Sequence, residues 1–276
     1  MSPVNRKIKT GSGRPLHQPL WLTLLVCLFI LLSAPAVAKL NSPGQGGLKT
    51  IVNYSPETYN QQPQNWAIVQ DKRGLIYVAN QGGLLEFDGV TWRTLTVPGQ
   101  SVRSLAIDKN GTLYIGGRNQ LGFMAVTSEG SLEFVSLLPH VPDDCTNFGN
   151  IWKIHAAPEG VYFRASRFLF LWTEKETGKP GGMRMKVIKP GDNGTFNGSF
   201  LCRDTLVVRR NKIGLMKLNR ETATLTPIPG GEVFGNRKIY AMMPLESSLF
   251  LIGTRAHGFY TFDIVQPGTA LHGVVV

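Results

Sequence analysis

The sequence predicts an all-β protein, a β-propeller of four-stranded antiparallel blades, and three observations lead to this fold class. A strand–turn–strand unit recurs at intervals of about 40 to 50 residues, which is typical of propeller blades. No segment shows the apolar spacing of an amphipathic helix. The composition, with 42% hydrophobic and 17% charged residues, supplies enough apolar side chains for a core and argues against a disordered chain.

The repeat is clearest in two stretches, residues 66–88 (WAIVQDKRGLIYVANQGGLLEFD) and 102–126 (VRSLAIDKNGTLYIGGRNQLGFMAV). In each, an apolar strand ends at an aspartate, a basic residue and a glycine form a turn, and a second strand and a polar turn lead to a third strand. Looser copies lie at 151–174, 200–219 and 239–263. An apolar residue marks the second strand of every unit: Ile76, Leu113, Val161, Leu206 and Leu249.

Five blades are therefore expected, each with a poorer fourth strand that in four of the units runs into a proline. A single blade cannot cover both of its faces, so blades are expected to pack face to face around an axis. A β-sandwich or a β-helix is the alternative, but a sandwich has no fixed period and a β-helix has a shorter one. The approximate blade boundaries are 60–98, 99–139, 147–190, 197–229 and 236–276.

The first 38 residues have the layout of a signal peptide. Basic residues precede an apolar run at residues 20–32, and Ala36-Val37-Ala38 follows it, which places the expected cleavage after Ala38. The run is shorter than the roughly 20 residues of a membrane-spanning helix, although an uncleaved N-terminal anchor is the alternative. The mature part, residues 39–276, is therefore expected outside the cytoplasm, in the periplasm.

The net charge of +11 is not evidence for a nucleic-acid partner. Four of the 29 basic residues precede the apolar run, which leaves 25 basic against 18 acidic residues in the rest of the chain. An exported, moderately basic chain is not expected to bind nucleic acid. The same compartment permits a disulfide between Cys145 and Cys202, but two partly buried thiols explain these cysteines equally well.

Catalytic chemistry is not expected from this sequence. Glycoside hydrolysis needs two facing carboxylates, which in a propeller would lie near the axis. The expected starts of the innermost strands carry none: Asn65, Arg103, Asn150, Asn197 and Arg237. No nucleophile elbow and no metal-ligand motif occurs, so neither a cofactor nor a metal is expected.

A binding surface is predicted instead where the turns between second and third strands meet the starts of the innermost strands. Four of these five turns are basic and none is acidic. Guanidinium groups there could hold an acidic oligosaccharide or another anionic small ligand, and two tryptophans could stack on sugar rings. The alternative is that turn residues are polar for backbone reasons alone. The candidate residues are Trp66, Arg103, Arg118, Trp152, Arg167, Arg210, Arg237 and Arg255.

Residues 53–95 resemble the first blade of two-component regulator propellers. The resemblance rests on Trp66, Asp71, Gly74, the Gly82-Gly83 pair, and Phe87-Asp88-Gly89 with Trp92. It extends more loosely to Asp263. Such propellers are the extracytoplasmic sensor parts of hybrid histidine kinases and of some diguanylate cyclases.

The resemblance implies more than five blades, because the family's propellers usually have seven. It therefore implies that this chain is a partial sensor within a seven-bladed ring, with residues 51–55 (IVNYS) as the outer strand of a missing last blade. The full-length receptor would be anchored in the inner membrane, through the N-terminal segment or a missing C-terminal part, and could form a homodimer. A free-standing exported propeller that binds a glycan or scaffolds a protein complex is the alternative.

Overall fold

A computed structural model describes residues 51–174, 183–191, 194–265 and 273–274. These residues form five four-stranded sheets, and in every sheet the strands lie side by side in chain order and pair antiparallel. The expected all-β fold with five four-stranded blades is confirmed. The predicted signal peptide, residues 1–38 with cleavage after Ala38, lies outside the described residues.

The first three blades contain twelve strands. Blade 1 consists of β1 (Asn65–Gln70), β2 (Ile76–Asn80), β3 (Gly83–Phe87) and β4 (Trp92–Leu95). Blade 2 consists of β5 (Val102–Ile107), β6 (Leu113–Gly117), β7 (Gln120–Val126) and β8 (Leu132–Ser136). Blade 3 consists of β9 (Lys153–Ala157), β10 (Gly160–Arg164), β11 (Leu169–Glu174) and β12 (Met183–Ile188).

The remaining two blades follow the same order. Blade 4 consists of β13 (Phe196–Cys202), β14 (Thr205–Arg210), β15 (Gly214–Asn219) and β16 (Thr224–Pro227). Blade 5 consists of β17 (Ile239–Pro244), β18 (Leu249–Thr254), β19 (Phe259–Asp263) and β20 (Gly273–Val274). In the part of the chain that the structure describes, helical structure is limited to one α-helical turn, α1 (Pro56–Tyr59), and three 3-10 turns at Leu138–His140, Asp143–Cys145 and Gly231–Phe234. Within the described residues, no helix is long and apolar enough to cross a membrane.

The core lies between the blades because strand residues point alternately to the two faces of a sheet. In β10, Val161 and Phe163 face blade 2, whereas Tyr162 packs against blade 4. In β14, Val208 faces blade 3 and Val207 faces blade 5. The first strands of successive blades also contact one another, so they lie innermost, as in a propeller.

The face of blade 1 that points away from blade 2 is covered by the segment before β1. Tyr54 packs on Phe87 and Trp92, with ring centroids 5.1 and 5.5 Å away, and Tyr59 packs on Trp92 at 5.6 Å. Together they bury the apolar side of this sheet. Residues 51–55 form no strand with the five described blades, and Tyr54 among them packs on a sheet face. The expectation that they supply the outer strand of a further blade stays a prediction, because that blade is not among the five.

Candidate functional site

A β-bulge near the start of the innermost strand is the local feature that builds the candidate site. In blades 1, 2, 4 and 5 the register with the second strand shifts by one residue at this point. In blade 3, Trp152 stands directly before β9 and its backbone N–H donates to the carbonyl of Arg164 at 2.8 Å. Because a bulge adds one residue outside the ladder, its side chain leaves the alternation of the two packed faces. One side chain per blade is released in this way: Trp66, Arg103, Trp152, Asn197 and Tyr240.

These bulges lie beside the turns that connect second and third strands. A backbone hydrogen bond joins every such turn to a segment that enters an innermost strand, either of its own blade or of the next one. The predicted common surface therefore exists, and we call it the entry face. The bonds are Gln81 N to Gln64 O, Asn119 N to Gly149 O, Phe196 N to Ser166 O, Asn211 N to Thr195 O and Arg255 N to Lys238 O.

Arg103 stacks on the entry face with the two predicted tryptophans, Trp66 and Trp152. The guanidinium carbon of Arg103 lies 3.9 Å from the ring centroid of Trp66 and 5.8 Å from that of Trp152. Both rings are partly open to solvent, with exposed fractions of 37% and 41%. We call this group the Trp–Arg–Trp stack. Cation–π contacts with both rings restrict the orientation of the guanidinium group.

The other predicted arginines are spread over the same face and do not converge on one point. Arg118, Arg167 and Arg255 are exposed in three of the turns. Arg210 donates through Nη2 to the carbonyl of Gly191 at 3.2 Å, and the guanidinium of Arg237 lies 5.1 Å from the ring centroid of Tyr260. The structure therefore concentrates aromatic rings and charge at blades 1 to 3, with a looser basic rim elsewhere.

A cavity of about 810 Å³ lies between the innermost strands of blades 3, 4 and 5, next to the entry face. We call it the axial cavity. Its cationic lining residues are Lys153, Arg164 and Lys238, and none of the described aspartates and glutamates lines it. Its apolar wall comes mainly from β13 and β17, together with Trp152. An aqueous space with cations and no carboxylate favours an anionic occupant.

Arg164 is the buried cation of this cavity. Its exposed fraction is 8%, its Nη1 donates to the carbonyl of Phe196 at 3.2 Å, and its Nε is buried without a hydrogen-bond partner. No carboxylate among the described residues pairs with it. Removal from water therefore lowers the pKa of Arg164 to about 10, because desolvation disfavours the charged form.

His155 lies beside Arg164 in the cavity wall and forms a bond between two blades. Its Nε2 is 2.9 Å from the Oγ of Ser199 in β13. Burial, reinforced by the positive charges of Lys153 and Arg164, lowers the pKa of His155 to about 3. The imidazole is therefore neutral at physiological pH and adds no positive charge to the cavity.

On the opposite side of the blades, two aspartates stabilise the turns between first and second strands. Asp71 Oδ1 accepts from the backbone N–H groups of Arg73 and Leu75 at 2.9 and 3.0 Å. Asp108 Oδ1 accepts equivalent bonds from the next unit at 2.9 Å each. These carboxylates are engaged in turn formation and lie far along the strand from the bulges.

Neither cysteine pairing nor metal binding is seen in the described residues. Cys145 and Cys202 are free buried thiols in different cores, the first between blades 2 and 3 and the second between blades 4 and 5. The disulfide that the compartment would permit is therefore absent, because a separate blade interface holds each thiol. Burial raises the pKa of Cys202 to about 12. No cluster of three histidine, cysteine or carboxylate side chains occurs within the same residues.

The fold defines a β-propeller, and sequence comparison adds a likeness to one family. Residues 96–119 match the sequence model of the two component regulator propeller. This match covers the first two strands of blade 2, and it confirms the resemblance there. None of the curated proteins compared matches the chain.

Solved structures share the propeller fold at low sequence identity. The extracellular domain assigned to the hybrid two-component system BT3049 of B. thetaiotaomicron aligns over 80% of this chain with a TM-score of 0.55 and 14% identity. PorZ, a bacterial surface component of the type-IX secretion system of Porphyromonas gingivalis, aligns over 78%, also with a TM-score of 0.55 and 14% identity. The WD40 β-propeller domain of Doa1 aligns over 72%, with a TM-score of 0.51 and 10% identity.

The alignments cover a minor part of two of these proteins. They cover 29% of the BT3049 domain and 34% of PorZ, against 65% of the Doa1 domain. At these identities the comparison establishes the fold, and the activities and partners of the longer proteins are not transferred with it.

Sequence reasoning missed the axial cavity and one member of the bulge set. Three of the five expected strand starts lie at a different repeat position from Arg103 and Asn197. These three are Asn65, Asn150 and Arg237. The register between first and second strands identifies Trp66, Trp152 and Tyr240 as the equivalents. Counting three residues forward from the marked residues Val161 and Leu206 places Arg164 in blade 3 and Arg209 in blade 4 at one repeat position, which is the signal that could have revealed them.

Proposed function

We propose that this chain is an extracytoplasmic ligand-sensing propeller that binds an anionic ligand, such as an acidic oligosaccharide, over its axis at the entry face. The observation that carries the proposal is the Trp–Arg–Trp stack, in which Arg103 lies 3.9 Å from the ring of Trp66. The exposed basic turns around the stack support it, because guanidinium groups bind carboxylates and sulfates through two parallel hydrogen bonds.

In this proposal the aromatic rings and the arginines have different tasks. The exposed ring faces of Trp66 and Trp152 pack on the apolar face of a sugar, while Arg103 pairs with its acidic substituent. Arg118, Arg167, Arg210, Arg237 and Arg255 then contribute a diffuse positive field that raises the rate of encounter. The protein binds and does not catalyse; in support, the lining of the axial cavity contains no carboxylate that could act as a general acid or base.

The receptor role is the wider part of the proposal. The match at residues 96–119 and the likeness to the extracellular domain assigned to a hybrid two-component system support a sensor part of a two-component or diguanylate-cyclase receptor. Such a receptor would be periplasmic on its sensing side, anchored in the inner membrane and able to dimerise. Binding would shift its conformational equilibrium only to the extent that the ligand prefers one state.

Titration of the 276-residue chain with trigalacturonate, with galactotriose as the neutral control, tests the ligand proposal. We expect the acidic trisaccharide alone to bind, and its affinity to fall as salt is raised. The variant Arg103→Ala should weaken binding about tenfold or more. The double variant Arg118→Ala with Arg255→Ala should remove the contribution of the outer arginines to the affinity. Equal affinity for the two trisaccharides, or no change in these variants, would contradict the proposal.

A free-standing exported propeller, which binds a glycan or scaffolds a complex, is the second candidate, and the likeness to a bacterial surface component favours it. Immunoblotting of fractionated native cells with antibody to residues 39–276 separates the two candidates. A band near 30.3 kDa in the soluble exported fraction would support the free-standing propeller. A much larger band in the membrane fraction would support the receptor.

A further inference from the structure

The axial cavity combines positive charge with the absence of a counter-charge. Lys153, Arg164 and Lys238 line it, His155 is neutral, and the described part of the chain contributes no carboxylate to the lining. A buried guanidinium without an anion is unfavourable, because the interaction with water is lost and only part is replaced. An anion that entered the cavity would supply the missing partner.

The hydrogen bonds of Arg164 leave room for such a partner. Among the described residues, only Nη1 has a protein acceptor, the carbonyl of Phe196 at 3.2 Å. Arg209, which occupies the equivalent position in blade 4, places both Nε and Nη2 at 2.7 Å from backbone carbonyls and does not line the cavity. Arg209 also keeps one buried nitrogen, Nη1, without a partner, but only Arg164 of the two lines the cavity, so only its open hydrogen-bonding capacity is within reach of an occupant.

The cavity also has an apolar lining that is accessible to solvent. Trp152, Tyr240 and Met243 belong to it with exposed fractions of 41%, 68% and 54%, and Met242 and Phe200 extend it. Exposed methionine and aromatic side chains that line one cavity are typical of sites that bind apolar groups. An inorganic anion or a hydrated sugar acid would leave this lining uncovered.

We propose that the axial cavity binds a small amphipathic organic anion, a monocarboxylate with an aromatic or aliphatic body. Its carboxylate pairs with Arg164, with Lys153 and Lys238 in support, and its body packs between Trp152, Tyr240 and the methionines of β17. The cavity of about 810 Å³ is large enough for a molecule of this class. The site goes beyond the proposed oligosaccharide site, with which it shares only Trp152.

Three probes separate the two halves of the proposed ligand by isothermal titration calorimetry of the 276-residue chain. The first is 4-phenylbutyrate, the second is 4-phenylbutan-1-ol, which has the same body without the charge, and the third is acetate, which has the charge without the body. We expect 4-phenylbutyrate to bind at least about tenfold more tightly than either control. Equal binding of the alcohol would reduce the site to an apolar surface, equal binding of acetate would reduce it to a simple anion site, and no binding at millimolar concentration would overturn it.

Substitutions then assign the site to these residues. Lys153→Met combined with Lys238→Met removes two lining charges from outside the core and should weaken 4-phenylbutyrate binding about tenfold. Arg164→Met should abolish it, and the double lysine variant keeps the test decisive if Arg164→Met does not fold. Lys217→Met is the matched control, because Lys217 is exposed in β15 away from the cavity. Unchanged affinity in the double variant, or an equal loss in Lys217→Met, would contradict the assignment.

A failure of the cavity proposal and a failure of the oligosaccharide proposal give different experimental results. Loss of trigalacturonate binding in Arg103→Ala, with unchanged 4-phenylbutyrate binding, would establish two separate sites. Absence of 4-phenylbutyrate binding, with trigalacturonate bound normally, would remove only the cavity proposal.

Discussion

Arg164 and Arg209 occupy the same position in consecutive blades, and both point toward the following blade. Arg209 is 1% exposed, and two of its nitrogens donate to the carbonyls of Phe234 and Gly235 at 2.7 Å. Arg164 makes one bond of 3.2 Å to a carbonyl and faces the axial cavity. The arginine at this repeat position therefore stabilises the contact with the next blade in blade 4. In blade 3 it forms a charged part of the cavity wall.

The difference comes from the chain that enters the next blade. Before β17, the 3-10 turn Gly231–Phe234 brings two successive carbonyls to Arg209, and carbonyl oxygens stabilise a buried guanidinium in place of water. At the start of β13, the carbonyl of Phe196 is the single acceptor that reaches Arg164 among the described residues. Local backbone shape at the entry, and not the arginine itself, thus decides whether the residue stabilises the fold or remains available to a ligand.

The largest predicted effect tests this division directly. Arg209→Met should lower the free energy of unfolding by about 3 kcal/mol, because two buried carbonyls lose their donors. Arg164→Met should cost about 1 kcal/mol or less, since one longer bond is lost while an unpaired buried charge is removed. Urea unfolding followed by tryptophan fluorescence measures both. Equal losses in the two variants would show that the arginines have the same structural role.

The second prediction uses the histidine that accompanies Arg164. The equivalent residue in blade 4 is Phe200, which cannot titrate. Because the folded-state pKa of His155 is about 3, below the unfolded value of 6.5, the unfolded chain binds more protons as the pH falls through this range. Stability that is complete above pH 6.5 should therefore fall on acidification, with about 2–3 kcal/mol of the loss at pH 4.5 due to His155.

Urea unfolding between pH 7 and 4.5 provides the measurement for this second prediction. The variant His155→Gln, whose amide can still bond to Ser199, should show a correspondingly smaller loss. A wild-type curve and a variant curve that run parallel over this range would contradict the low pKa of His155.

The third and smallest effect extends the comparison to blade 2. There the arginine position is Gly116, where a Cβ would lie 2.5 Å from Ile151 Cγ2, and the bond to the next blade is made by Ser104 Oγ, 2.8 Å from Ile151 O. Ser104→Ala should cost about 1–2 kcal/mol in urea unfolding. The matched control is Thr226→Ala, whose exposed hydroxyl lies 3.5 Å from a carbonyl and should contribute little. A similar cost for both would contradict a special role for the buried bond.

The fold class and the strand content could be predicted from the sequence because both depend on periodic patterns. The apolar markers from Ile76 to Leu249 repeat once per blade, and the strand alternation that follows them is local. The covering of blade 1 by Tyr54 and Tyr59 could not be predicted, because it depends on where a non-repeating segment lies against a sheet face.

The candidate site could be predicted only in part. Tryptophan and arginine at the strand starts attract attention by residue type, so Trp66, Arg103 and Trp152 were identified without knowledge of the bulge. Tyr240 was missed, because a tyrosine within an apolar strand is usually interpreted as a residue of the hydrophobic core. Arg164 was missed for a related reason: whether a buried arginine is satisfied depends on carbonyls that lie 30 residues or so along the chain.

The repeated bulge also makes the opening of the propeller directional. The five released side chains follow one another around the axis in a fixed order, with two indoles and a guanidinium on one arc and an amide and a phenol on the other. No rotation about the axis exchanges the two arcs. A ligand with one charged end and one neutral end would therefore meet different side chains in its two orientations.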